Sequence, residues 1–240
     1  MRIMKRWRMV VLFAMAMAWL ESAIVFYGRL LVNRLEPYQP NPLPLIAELG
    51  PTELVREAAT MLMLWAIGWF AGETRRARWA FACVAFGVWD VSYYVFLRII
   101  YGWPRTLLDW DVLFLIPLPW WGPVIAPMLI AALMIAWGTP VALNDTFERP
   151  LRSRRLVWAT AAVGAALALA VFMADALRVA GDGVEALCNV LPVEFNWPVF
   201  CVALALLAAP AVDVARQLHY RARTERAKTS TGFLHESSCS

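Results

Sequence analysis

The hydrophobic positions of this chain do not alternate with polar ones. They come in long runs, separated by short polar stretches that carry arginine or proline. The runs cover about residues 9–32, 53–72, 79–101, 112–137, 156–179 and 197–214. A helix rises 1.5 Å per residue, so ~20 apolar residues span the ~30 Å hydrocarbon layer. The pattern predicts an all-α fold, a polytopic transmembrane helix bundle of about six spans in residues 1–215. A basic, then disordered, cytoplasmic tail is expected over 216–240. The fourth run differs from the others, because Pro117, Pro119, Pro123 and Pro127 interrupt it. Each interior proline removes a backbone donor and clashes with the preceding turn. This span is therefore expected to be proline-broken, with a short segment to about Pro119 and a better-formed helix from near Pro123. The 33–52 stretch holds Pro37, Pro40, Pro42, Pro44 and Pro51 and reads as an extended connector, or alternatively as a lid.

Composition supports the membrane reading. Hydrophobic residues make up 61% of the 240 and charged ones 17%, against roughly 25% charged in soluble domains. The mean hydropathy is +0.58. The formal charge of +4 does not point to nucleic acid, because the cations cluster at segment ends. Four lie in Met1–Arg8, three in 73–78, four in 138–155 and five in the C-terminal region. These four stretches fall on one side of a six-span chain, which places both termini in the cytoplasm by the positive-inside rule. The first apolar run could be mistaken for a signal peptide, but it is longer than a signal core and the charge balance favours retention. The expected location is the bacterial inner membrane.

The four cysteines form no Cys-x-x-Cys; a Cys188–Cys201 disulfide is compatible with the spacing in an oxidising compartment. His219 and His235 both lie in the basic C-terminal region. The spans hold no histidine, which argues against bis-His haem and His-rich metal sites, so no metal and no cofactor are expected.

Candidate chemistry lies in the outer halves of the spans. Glu21 and Asp90 sit inside apolar runs, where a charge costs roughly 2.5–3.5 kcal/mol on insertion scales. Glu53 and Glu57 are four residues apart and share a helix face; Asp90, Tyr93, Tyr94, Leu97 and Tyr101 form a stripe on the third span. The functional reading is an outward-facing cavity with Asp90, Glu21 and Glu57 as acid/base groups and with Tyr93, Tyr94, Asp111, Trp89 and Trp120 in its wall. The structural reading is that the acids pair with Arg29, Arg56, Arg98 and tyrosine hydroxyls to lock helices together. Asp175 with Arg178, and Glu53 with Arg56, read as such pairs.

Several segments carry a resemblance. They are Leu20-Glu21-Ser22-Ala23, Arg56-Glu57-Ala58-Ala59-Thr60, Phe86-Gly87-Val88-Trp89-Asp90 with Tyr93-Tyr94, and Gly102-Trp103-Pro104. The pattern continues through Trp110-Asp111-Val112-Leu113-Phe114-Leu115-Ile116-Pro117 and Pro119-Trp120 to Gly122-Pro123. Over about residues 10–137 the chain resembles an uncharacterised family of bacterial multi-pass membrane proteins. The resemblance implies that these positions form one unit and implies no reaction. The sequence supports a non-catalytic role, as a subunit of a membrane complex or a binder of a lipid-like molecule such as an isoprenoid. An intramembrane acid/base enzyme of isomerase or cyclase type, acting on an isoprenoid or lipid, is the second reading. A small-solute transporter is the third. The absence of a nucleophile motif or phosphate loop disfavours hydrolases and kinases.

Overall fold

The structure, a computed structural model, describes residues 2–31, 37, 50–183, 186–187 and 190–236, with side chains left undescribed over 225–236. Most of the 33–52 connector, and Cys188, lie outside the described residues. The helices are α1 (Arg2–Leu31), α2 (Gly50–Ala71), α3 (Arg75–Tyr101), α4 (Ile125–Asn144), α5 (Arg155–Phe172), α6 (Ala174–Val179), α7 (Trp197–Leu207) and α8 (Ala209–Glu236). A hairpin of β1 (Trp110–Phe114) and β2 (Trp120–Pro123) stands between α3 and α4. Among the described residues, six helices are long and apolar enough to cross a membrane, counting α7 and the start of α8 as one span through Thr224. The protein is thus a multi-pass helical membrane protein with a minor sheet.

α3 is the central helix and packs against α1, α2 and α4. Its contact with α4 is closest at two glycines, Gly87 on α3 and Gly138 on α4. A methyl group added at Gly87 would meet the Ala131 carbonyl oxygen at 2.6 Å, and one added at Gly138 would meet the Ala80 carbonyl oxygen at 2.6 Å. Small residues let two backbones approach this closely, and in a membrane, where lipid competes equally for apolar surface, close packing holds helices together. Val10, Ala14, Leu64, Phe81, Val84 and Val141 form the core of this four-helix unit. A second core gathers Ala126, Ala168, Phe172, Phe195, Phe200 and Ala203 around α5 and α7.

Local chemistry sets the ends of these elements. Thr74 caps α3: its hydroxyl accepts from the Ala77 N–H at 3.0 Å and donates to Asp145 at 2.5 Å. Asp145 also accepts from Arg76 Nε at 3.0 Å and from the Leu151 N–H at 2.8 Å, which ties the α2–α3 loop to the α4–α5 loop. At the other end of α3, Gly102 takes a left-handed conformation (φ 79°) and its N–H reaches the Arg98 carbonyl, ending the helix where glycine tolerates positive φ. Arg98 then donates to the Gly102 and Pro104 carbonyls, so it serves the turn and not the acids. The boundary between α7 and α8 falls at Ala208, two residues before Pro210, whose missing N–H cannot continue the hydrogen-bond ladder. α8 continues to Glu236, into the stretch read as a tail.

The fourth span is organised differently from the expectation. Residues 112–123 are not the first part of a proline-broken helix. They belong to the antiparallel hairpin, in register Trp110↔Pro123, Asp111↔Gly122, Val112↔Trp121 and Phe114↔Trp120, with a bulge between Val112 and Phe114. The crossing helix begins at Ile125 and runs past the expected end to Asn144. Pro117 and Pro119, two residues apart, deny a helix two donors in one turn, so the chain reverses there. A hairpin pairs its backbone groups internally, and the packing of β2 on α4 and α5 covers it. Pro127 falls in the first turn of α4, where its missing N–H costs nothing. The bonds Trp103–Pro104 and Ile116–Pro117 are cis.

Candidate functional site

A cavity of about 150 Å³ lies between α1, α2, α3 and β1. Four elements supply its polar groups for separate reasons. α1 brings Glu21 and Arg29 to the cavity from its C-terminal half, while Val10, Ala14, Met17 and Ala18 nearer its N-terminus pack in the apolar core. α2 supplies Glu53, Arg56, Glu57 and Thr60, which are spaced three and four apart and therefore share one face. α3 supplies Trp89, Asp90, Tyr93 and Tyr94 from consecutive turns. The hairpin adds Asp111 and Phe114, and Pro37 reaches the wall from the otherwise undescribed connector.

Most of these charges are already engaged. Arg56 stands between two carboxylates: Nη1 pairs with Glu21 Oε1, and Nε donates to Glu53 Oε2 at 2.7 Å. The Thr60 hydroxyl donates to the other Glu21 oxygen at 3.3 Å. Glu57 accepts the Leu115 N–H at 3.1 and 3.0 Å on its two oxygens, and the Ile116 N–H contributes as well. Its carboxylate thus satisfies the backbone donors that the hairpin turn leaves open. Arg29 donates to Asp111 Oδ1 at 3.0 Å and to the Tyr101 hydroxyl, and its guanidinium lies 4.5 Å from the centre of a Trp103 ring. Tyr94 also hydrogen-bonds Asp111. Asp111 is 1% exposed. Burial pushes its carboxyl up to about 6, against the Arg29 guanidinium and the Val112 N–H, which favour the charged form.

Asp90 is the exception. It is 6% exposed, and its Oδ2 is enclosed with no hydrogen-bond partner among the described residues. The Trp89 Nε1–H, on the neighbouring residue, is enclosed and unpaired as well. A buried polar group without a partner costs on the order of 1–3 kcal/mol, more for a charged one, and calls for an explanation.

The structure brings Glu21, Glu57, Asp90, Tyr93, Tyr94, Asp111 and Trp89 to one cavity. Trp120 is not in the wall. It packs behind Phe114 and stacks on Phe172 in the second core. The proposed pairing of the acids with arginines is realised for Glu21 and Glu53 with Arg56, and in the isolated pair of Asp175 with Arg178. The pairing of Arg29 with Asp111 was not legible, because the two lie 82 residues apart on unlike elements. Thr60 and Trp103 were missed; their only signal was membership of the Arg56–Thr60 and Gly102–Pro104 segments. Among the described residues, no three His, Cys, Asp or Glu side chains converge as a metal site requires. No family model matches the chain, and no curated protein or solved structure shows significant similarity to it.

Proposed function

We propose that this protein is an inner-membrane binding protein, with both termini in the cytoplasm, that holds one end of a lipid-like molecule in the cavity between α1, α2, α3 and the hairpin. The observation that carries the reading is Asp90: a buried carboxylate, one oxygen of which has no partner among the described residues, in the wall of a space that those residues do not fill. A volume of about 150 Å³ is that of a cavity which admits benzene in another protein. It suits a headgroup and its first carbons, with the rest of the ligand in the bilayer. The wall joins aromatic surface to a few convergent polar groups, the usual constitution of a small-molecule site.

Acid/base catalysis on an isoprenoid or lipid is the second reading, and the same free Asp90 favours it. Against it stands the engagement of Glu21 by Arg56 and Thr60, and of Glu57 by the hairpin amides, which leaves Asp90 without a second free carboxylate to complete an acid/base pair.

The test is mass spectrometry of the full-length protein purified in mild detergent, beside Gly28→Leu. Gly28 lines the cavity, and a Cβ there meets nothing within 4 Å, so leucine fills the space without a backbone clash. The expected result is one enriched amphiphile in the wild type that is lost in Gly28→Leu. Stoichiometric partner proteins with no small molecule would refute the binding reading in favour of a complex subunit. Conversion of the bound molecule that depends on Asp90 would make the protein an enzyme.

A further inference from the structure

We infer that the polar end of the ligand is a cation, an amine or quaternary ammonium carried on an apolar body; the inference rests on the binding reading above. Formal charge points to it first. Among the described residues the cavity wall carries five carboxylates and two guanidinium groups. Arg29 is spent on Asp111, a balanced pair. Arg56 is shared between Glu21 and Glu53, one cation for two anions. Glu57 has only neutral amide donors. Asp90 has no donor on Oδ2. The imbalance is therefore negative, and it sits on the α2 and α3 sides of the cavity. A buried carboxylate is stabilised either by taking up a proton or by a positive partner, and a cationic ligand end supplies the second.

The aromatic wall points the same way. Trp89 and Tyr93 stack with ring centres 6.1 Å apart, and Phe114 lies 6.4 Å from Trp89. All three rings line the cavity that Asp90 lines. Aromatic rings attract cations through their negative faces, and cages of rings with a nearby acid recognise ammonium groups. An anionic headgroup, phosphate or carboxylate, would meet Asp90 and Glu57 with no free cation among the described residues of the wall to receive it.

Three probes with one ring and different charge test the point: benzyltrimethylammonium, benzyl alcohol and benzoate. Each is titrated calorimetrically into the full-length protein in nanodiscs of zwitterionic lipid, with empty discs as the blank. The ammonium probe is expected to bind at least ~10-fold more tightly than the alcohol, the minimum for one charge-assisted contact, and benzoate most weakly. Asp90→Asn is expected to lower ammonium affinity about tenfold and to leave the alcohol unchanged. If Asp90→Asn does not fold, the order of the three probes on the wild type decides alone. Saturable binding of the alcohol as tight as that of the ammonium, blocked by Gly28→Leu, would overturn the cationic class and leave the binding reading standing. No saturable binding by any probe, together with no co-purified amphiphile, would overturn both.

Discussion

Arg29→Met removes one end of the best-enclosed ion pair among the described residues and keeps most of the side chain's apolar length. The consequences can be worked from the contacts. Asp111 loses a charge-assisted bond of 3.0 Å, the Tyr101 hydroxyl loses its guanidinium donor, and Trp103 loses a cation 4.5 Å from its ring centre. Among the described residues, Asp111, 1% exposed, keeps Tyr94 and the Val112 N–H. Breaking one side of a buried pair costs ~3–5 kcal/mol, because a charge is left without compensation. For a chain of this size 3 kcal/mol corresponds to a fall of roughly 6–12 °C in Tm.

The loss should depend on pH with a definite sign. Burial already lifts the Asp111 carboxyl from 3.8 to about 6. A carboxyl whose folded value lies above its unfolded one costs stability when it ionises, and that cost grows as pH rises from the unfolded value through the folded one. Without Arg29 the folded value rises further, so Arg29→Met should be most destabilised above neutral pH and partly relieved in mild acid. The assay is thermal unfolding of detergent-purified protein followed by tryptophan fluorescence at pH 6 and pH 8, for Arg29→Met, Asp111→Asn and the double variant. The double variant should regain most of the lost stability, since no unpaired charge remains. A fall below ~2 °C in Arg29→Met at pH 8, or a double variant no more stable than the single one, would refute the reasoning.

Three further outcomes test other parts of the architecture. Gly87→Ala should destabilise by ~1–3 kcal/mol, because its methyl group meets the Ala131 carbonyl at 2.6 Å, whereas Gly28→Ala, which meets nothing within 4 Å, should be neutral or slightly stabilising; paired Tm measurements compare them. Asp145→Asn offers one oxygen where Thr74, Arg76 and Leu151 now share two, and loses the charge, so thermal unfolding should show a loss of ~2 kcal/mol. Glu57→Ala leaves the Leu115 and Ile116 amides without their acceptor, and hydrogen exchange should quicken there while the α3 core amides stay protected.

The number and approximate place of the crossing helices were legible in the sequence alone. Length and hydrophobicity decide whether a segment crosses a bilayer, and both are local properties, so α1, α2 and α3 fall close to the expected spans. The neighbourhood of the site was legible too. An acid inside an apolar run is costly enough that Glu21 and Asp90 had to face the interior, and helical spacing put Asp90, Tyr93 and Tyr94 together. The hairpin was not legible. Hydrophobic composition over 112–123 fits a span, and only pairing between β1 and β2, with cover from α4 and α5, makes extended backbone tolerable there. Partner choice was also a tertiary matter. Sequence offered three arginines for the buried acids, and the bundle gave Arg56 to Glu21, Arg29 to Asp111 and Arg98 to a turn. What only the tertiary structure decided is which acid remains free. Whether a carboxylate is satisfied depends on donors from other elements, and packing supplied them to Glu21, Glu57 and Asp111 while leaving the enclosed Asp90 Oδ2 without one among the described residues.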